Sequence, residues 1–222
     1  MKHHYRVSFA ILCLIGGGCA VEEDAGATGS LAMEGEVRLR NVRQLTSGGE
    51  NAEAYWAFDG SQLIYQARKP DAECDQIYVL DPESLDTHMV STGDGRTTCS
   101  YFYPSGNEIL YSSTHHHNAA CPENPDFSMG YVWPVYDTYD VFASNLDGSD
   151  LRQLTTEDGY DAEATFSPIG DRIVFTSARD GDLELYSMAP DGSDLVRLTD
   201  RPGYDGGAFY SPDGSKIIWR AY

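Results

Sequence analysis

Apolar residues gather in four short runs between residues 162 and 199, at 162–167, 172–177, 183–188 and 195–199, of which the first alternates strictly between apolar and polar. Breaks at Gly170, Asp180-Gly181 and Asp191-Gly192 separate them. Period-two alternation marks strands with one buried face, and Gly supplies the positive φ that tight hairpin turns demand. The stretch is therefore expected to fold as a four-stranded antiparallel meander.

The remainder of the chain repeats this unit. Gly60, Gly106, Gly170 and Gly214 form one column, spaced by 46, 64 and 44 residues. Four residues before each stands an aromatic (Trp56, Phe102, Phe166, Tyr210), and five after stands another (Tyr65, Tyr111, Phe175, Trp219). The third strand recurs as Ile77-Tyr78, Val141-Phe142 and Leu185-Tyr186. The fourth closes on Leu45-Thr46, Leu154-Thr155 and Leu198-Thr199. A four-stranded sheet recurring at this period is the signature of β-propeller blades.

The stretch Y-D-A-E-A-T-F-S-P-I-G-D-R-I-V-F-T-S-A-R-D-G-D-L-E-L-Y-S-M-A-P-D-G-S-D-L-V-R-L-T resembles the TolB-type, WD-like (PD40) propeller repeat, in which S-P-D-G, D-G and D-G-S turns recur in order. The likeness spans about residues 42–222. It departs from the pattern where Phe58-Asp59-Gly60 and Pro104-Ser105-Gly106 replace S-P-D-G, and the sequence leaves no room for the α/β domain that precedes the propeller in TolB. The resemblance implies an all-β propeller of four-stranded antiparallel blades over residues 37–222. About three and a half blades are expected, at 52–91, 97–155, 162–199 and, in part, 206–222. Residues 37–46 read as the outermost strand of a preceding or closing blade. Because rings usually need four or more blades, an incomplete or open ring is expected, either a piece of a longer chain or one of two copies that complete each other as a dimer.

Residues 1–18 read as an export signal: Lys2 and Arg6, a short apolar run, then small residues before Cys19. The apolar run falls well short of the roughly 20 residues a membrane-spanning helix needs. Two cleavages compete, a lipoprotein-type cut that makes Cys19 the lipidated first residue and an ordinary cut near Ala20. Residues 19–36 are small and acidic, as in a flexible linker. The net charge of −20 becomes −22 once Lys2 and Arg6 are removed, a surface that repels phosphate backbones and argues against nucleic acid as a partner.

In a meander, successive turns alternate between the two ends of the sheet. One end keeps tight glycine turns. The other collects the blade-to-blade entries and a long insertion in the second blade, residues 115–136. That end brings together Glu53, Tyr160, Asp161, Glu163, Tyr204 and Asp205, with Trp133 and Tyr136 from the insertion, and is the candidate surface for a protein or peptide with basic groups, or for a cation. Asp161 and Asp205 have a second reading as turn-closing residues. In an oxidising compartment a disulfide is expected. Cys99–Cys121 would pin the insertion to its own blade, and is preferred over Cys74–Cys99, which would link neighbouring blades. No cofactor is expected. His115-His116-His117 with Cys121 and Asp126 lacks convergent zinc-ligand spacing, and the G-x-S-x-G, H-E-x-x-H and P-loop motifs are absent.

The leading functional reading is a non-catalytic, exported and lipid-anchored binding module of the cell envelope. Alternatives are a propeller that gates the active site of a prolyl-oligopeptidase-like or tricorn-like peptidase, and a propeller that binds a small molecule or, with calcium, a sugar.

Overall fold

The computed structural model describes residues 31, 33, 35–130 and 132–222. The expected export signal and Cys19 lie outside the described residues. The chain divides into two units, residues 1–44 and 45–222. In the first, the described residues form no strand. The expected outermost strand at 37–46 is not formed: Asn41 takes φ 53°, which breaks an extended run, and Val37 and Leu39 are exposed.

The second unit is all β. Its first blade comprises β1 (Glu50–Trp56), β2 (Leu63–Arg68), β3 (Gln76–Leu80) and β4 (Thr87–Met89). The second holds β5 (Thr97–Phe102), β6 (Glu108–Ser113), β7 (Asp140–Asn145) and β8 (Arg152–Gln153); the third holds β9 (Asp161–Phe166), β10 (Ile173–Ser177), β11 (Glu184–Met188) and β12 (Val196–Arg197). β13 (Asp205–Tyr210) and β14 (Ile217–Ala221) pair as a two-stranded fourth sheet. Every sheet is an antiparallel meander in sequence order, and no sheet closes on itself. The result is an open, partial propeller.

The recurring sequence features have identifiable mechanical roles. The closing hydroxyl of each complete blade accepts the backbone N–H of the second residue of the third strand: Ile77 to Ser91 at 3.0 Å, Val141 to Thr155 at 2.9 Å and Leu185 to Thr199 at 2.8 Å. In the D-G-S turns, Asp59, Asp147, Asp191 and Asp213 each accept the amide and hydroxyl of the serine two residues on. These bonds favour the ionised form, and with the Ser211 hydroxyl added, the Asp213 carboxyl is held down to about 2.

Blades pack through the repeat columns, because residues adjacent along a strand face opposite sides of its sheet. The residue four after the column glycine faces the following blade. There it meets that blade's aromatics: Ile64 clusters with Phe102 and Tyr111, and Leu110 with Phe166 and Phe175. Val174 clusters with Tyr210. Ile64, Leu110 and Val174 are fully buried, whereas Ile218, in the same column on the fourth sheet, is 71% exposed, and Trp56 at the opposite end is 53% exposed. Each joint is also strapped by one backbone bond from the head of the inner strand to the preceding blade: Thr97 to Asp75 (3.1 Å), Asp161 to Tyr139 (2.9 Å) and Asp205 to Leu183 (2.8 Å).

The expected Cys99–Cys121 disulfide is corrected: the bond is Cys74–Cys121, with Cα atoms 5.7 Å apart. Cys74 lies in the β2–β3 loop and Cys121 in the β6–β7 insertion, equivalent loops of neighbouring blades that meet side by side. Cys99 lies on an inner strand and remains a buried free thiol.

Two stability predictions follow from this packing. Leu110→Ala, which opens a sealed joint, is expected to cost about 2–5 kcal/mol, whereas Ile218→Ala in the same column should change stability by about 0.5 kcal/mol or less, both read from urea unfolding. The double variant Cys74→Ser/Cys121→Ser releases a 47-residue separation and should lose up to about 4 kcal/mol on the chain-entropy estimate. A non-reducing peptide map should recover the two half-cystines in one linked fragment.

Candidate functional site

All four inner strands carry the same irregularity. In each, two residues stand opposite one: Glu53-Ala54 against Tyr65, Cys99-Ser100 against Tyr111, Glu163-Ala164 against Phe175, and Gly207-Ala208 against Trp219. These are β-bulges, and the single residue opposite each is the aromatic five positions after the column glycine. The first bulge residue is left-handed in every case, with φ of 51° at Glu53, 49° at Cys99, 58° at Glu163 and 61° at Gly207. Glycine accepts that geometry freely. A side chain there carries a strain of about 1–2 kcal/mol, so three of the four bulges hold a functional-type side chain in a conformation it does not prefer.

The four bulge residues line one cavity of about 670 Å³ at the centre of the arc. Its aromatic lining comes from Tyr55 and Phe209 on inner strands, from Tyr160, Tyr204 and Tyr222, and from Trp133 of the insertion. Tyr55 of the first blade and Phe209 of the fourth sheet meet with ring centroids 5.6 Å apart, and Tyr101 packs 5.4 Å from Tyr55. A second cavity of about 410 Å³ lies between the insertion and the first two blades, with Arg68, Asp75, Arg96 and Phe127 in its lining. Trp133 and Tyr160 line both cavities and thus form part of the wall between them.

Of the sequence-predicted residues, Glu53, Tyr160, Glu163, Tyr204 and Trp133 converge on the central cavity. Asp161, Asp205 and Tyr136 are absent from its lining, and the expected surface role of Asp161 and Asp205 is corrected, because both side chains are buried. Asp161 is buried against Arg179 at 2.8 Å, and Asp205 accepts the Trp219 indole N–H at 2.9 Å. Both serve the structure. Burial raises the Asp161 carboxyl's pKa, with Ser177 and Arg179 opposing. Tyr136 donates to the Glu123 carbonyl at 2.7 Å and packs on Tyr139, bracing the insertion from within. Arg96 reinforces it, reaching Asn124 at 2.8 Å and Asp75 at 3.4 Å. Sequence reasoning missed Cys99, Tyr55 and Phe209 as lining residues. Seven before the column glycine is a legible position in the repeat, but nothing in the residue types announces a bulge.

The polar groups of the cavity differ in how far they are satisfied. Glu163 accepts the Tyr204 hydroxyl (2.8 and 3.0 Å), the Thr176 hydroxyl (2.7 Å) and the Gly207 amide (2.7 Å). Arg220 approaches the Tyr204 hydroxyl at 3.3 Å and its ring at 5.7 Å. Glu53 is half-buried and accepts the Tyr55 hydroxyl on one oxygen. The Tyr160 hydroxyl is buried without a hydrogen-bond partner among the described residues. Burial, and then the Glu163 charge, push that phenol well above its ordinary value; Trp133 is close enough to oppose the shift, but no bond of ordinary geometry forms. Burial likewise pushes the Cys99 thiol up to about 12, with Glu163 and Glu53 adding to the shift and the Thr98 hydroxyl opposing it. Among the described residues no group of three His, Cys, Asp or Glu stands close enough to hold a metal.

A thiol held protonated and buried should resist alkylation. Iodoacetamide at pH 8 is expected to leave Cys99 unmodified in the folded, disulfide-intact chain and to modify it stoichiometrically in urea; rapid native labelling by mass spectrometry would contradict this environment.

Residues 124–221 match the family model described as the TolB beta propeller domain. Among solved structures, TolB from Acinetobacter baumannii is similar at 20% identity and TM-score 0.61, covering 79% of this chain and 39% of that one. The putative TolB from Agrobacterium tumefaciens is similar at 20% identity and TM-score 0.62, covering 77% and 53%. A structure of a nidogen/laminin complex shares the fold at 12% identity and TM-score 0.56, covering 76% and 55%. The chain thus spans about half the length of these structures or less. Repeat columns and sheet order agree with these matches: the fold is that of a TolB-like β-propeller, with the PD40 match over residues 124–221.

Proposed function

We propose that this chain is an exported binding module of the bacterial envelope, held to a membrane by a lipid on Cys19, and that it captures a protein or peptide segment in the central cavity without chemical turnover. The observation that supports this most directly is the cavity itself. It is about 670 Å³ in volume, within the range of built ligand sites, and the insertion contributes Trp133 to its lining, a residue that is 43% exposed. Aromatic groups with a polar handle, partly exposed beside a concave surface, are typical anchors for peptide side chains. The Cys74–Cys121 bond, which needs an oxidising compartment, agrees with export.

The test is selection of a random peptide library on the immobilised chain. Enriched peptides should lose at least tenfold in affinity for Trp133→Ala, which removes the insertion's indole from the cavity lining while leaving the disulfide in place. Absence of any enriched sequence, or equal affinity for the variant, would refute capture at this cavity.

A further inference from the structure

The two carboxylates at the bulges are not equivalent, and the difference points to a ligand. Glu163 receives four hydrogen-bond contacts from Tyr204, Thr176 and Gly207, and the Arg220 guanidinium sits against the same Tyr204 hydroxyl. Its charge is balanced and its oxygens are largely occupied. Glu53 occupies the same place in the first blade, with only the Tyr55 hydroxyl bound, and makes no ion pair among the described residues. A half-buried carboxylate in a mainly aromatic cavity has lost part of its hydration without gaining a counter-charge. Tyr160 lines the same cavity, and its hydroxyl is buried without a hydrogen-bond partner among the described residues; buried polar groups ordinarily have one.

We propose that Glu53 and the Tyr160 hydroxyl together receive a primary ammonium group, the side chain of a lysine on the captured segment. The inference rests on the capture reading above and gives it a chemical class. An ammonium donates up to three hydrogen bonds, enough for the open oxygen of Glu53 and for Tyr160, in a cavity whose lining is otherwise largely aromatic. A guanidinium fits less well. Its planar fork binds a carboxylate through both oxygens, and one oxygen of Glu53 already accepts the Tyr55 hydroxyl. The strained left-handed backbone at Glu53 is consistent with a position kept for its side chain.

The test uses three blocked amino acids as probes, the N-acetyl methylamides of lysine, arginine and norleucine, titrated into the full chain and followed by tryptophan fluorescence and amide chemical shifts. Lysine is expected to bind at least tenfold tighter than norleucine and severalfold tighter than arginine. Glu53→Gln should bring lysine down to the norleucine level, and Tyr160→Phe should weaken lysine severalfold and leave norleucine unchanged. Unaltered near-ultraviolet circular dichroism would show that both variants remain folded. Equal binding of lysine and norleucine, absence of binding by either, a lysine preference that survives Glu53→Gln, or arginine matching lysine would overturn the assignment. Library peptides that depend on Trp133 but show no lysine preference would leave the capture reading intact and remove only this inference.

Discussion

The structure depends on one recurring contact: an aliphatic side chain from one sheet lodged against aromatic rings on the next. Each blade has too little apolar surface to be stable alone, since a lone meander leaves both of its faces wet. Ile64, Leu110 and Val174 reach full burial only because the following sheet supplies Phe102 and Tyr111, Phe166 and Phe175, or Tyr210. The backbone strap at each joint fixes the sliding register of one sheet on another, and the hydroxyl at the end of each complete blade holds the third strand beneath it. Stability of this kind is shared among neighbours, and the two end faces, marked by Trp56 and Ile218, lie outside that sharing.

The site follows from the same repetition. A bulge in each inner strand turns one side chain per sheet inward, so four equivalent positions meet across the axis as Glu53, Cys99, Glu163 and Gly207. The backbone repeats while the chemistry does not. One position is a balanced carboxylate, one a half-buried carboxylate without a counter-charge, one a thiol kept protonated, and one a glycine that admits the Arg220 side chain. A symmetric frame with asymmetric contents can read an asymmetric ligand.

Much of this was legible in the sequence because the blade leaves marks at fixed offsets. Gly60, Gly106, Gly170 and Gly214 with their flanking aromatics located the first hairpin of every sheet, and Glu53, Glu163, Tyr160, Tyr204 and Trp133 were placed at one end by counting turns. The errors have physical causes. Asp161 and Asp205 sit at the right end, but their side chains turn back into bonds with Arg179 and Trp219, and the direction of a side chain at a strand head is not encoded in spacing. The expected Cys99–Cys121 pairing rests on pinning the insertion to its own blade, and that is not the bond formed. Lateral adjacency of equivalent loops in successive blades was the stronger constraint, and it joined Cys74 to Cys121.

That bond has a consequence for how the central cavity behaves. The insertion is rooted in the second blade, yet it is clasped to the first, so its indole-bearing arm spans a joint instead of riding on one sheet. Small rotations of the two sheets about their shared seam would be transmitted along the arm to the partition formed by Trp133 and Tyr160. The wall between the two cavities is thereby anchored to both of the first two blades.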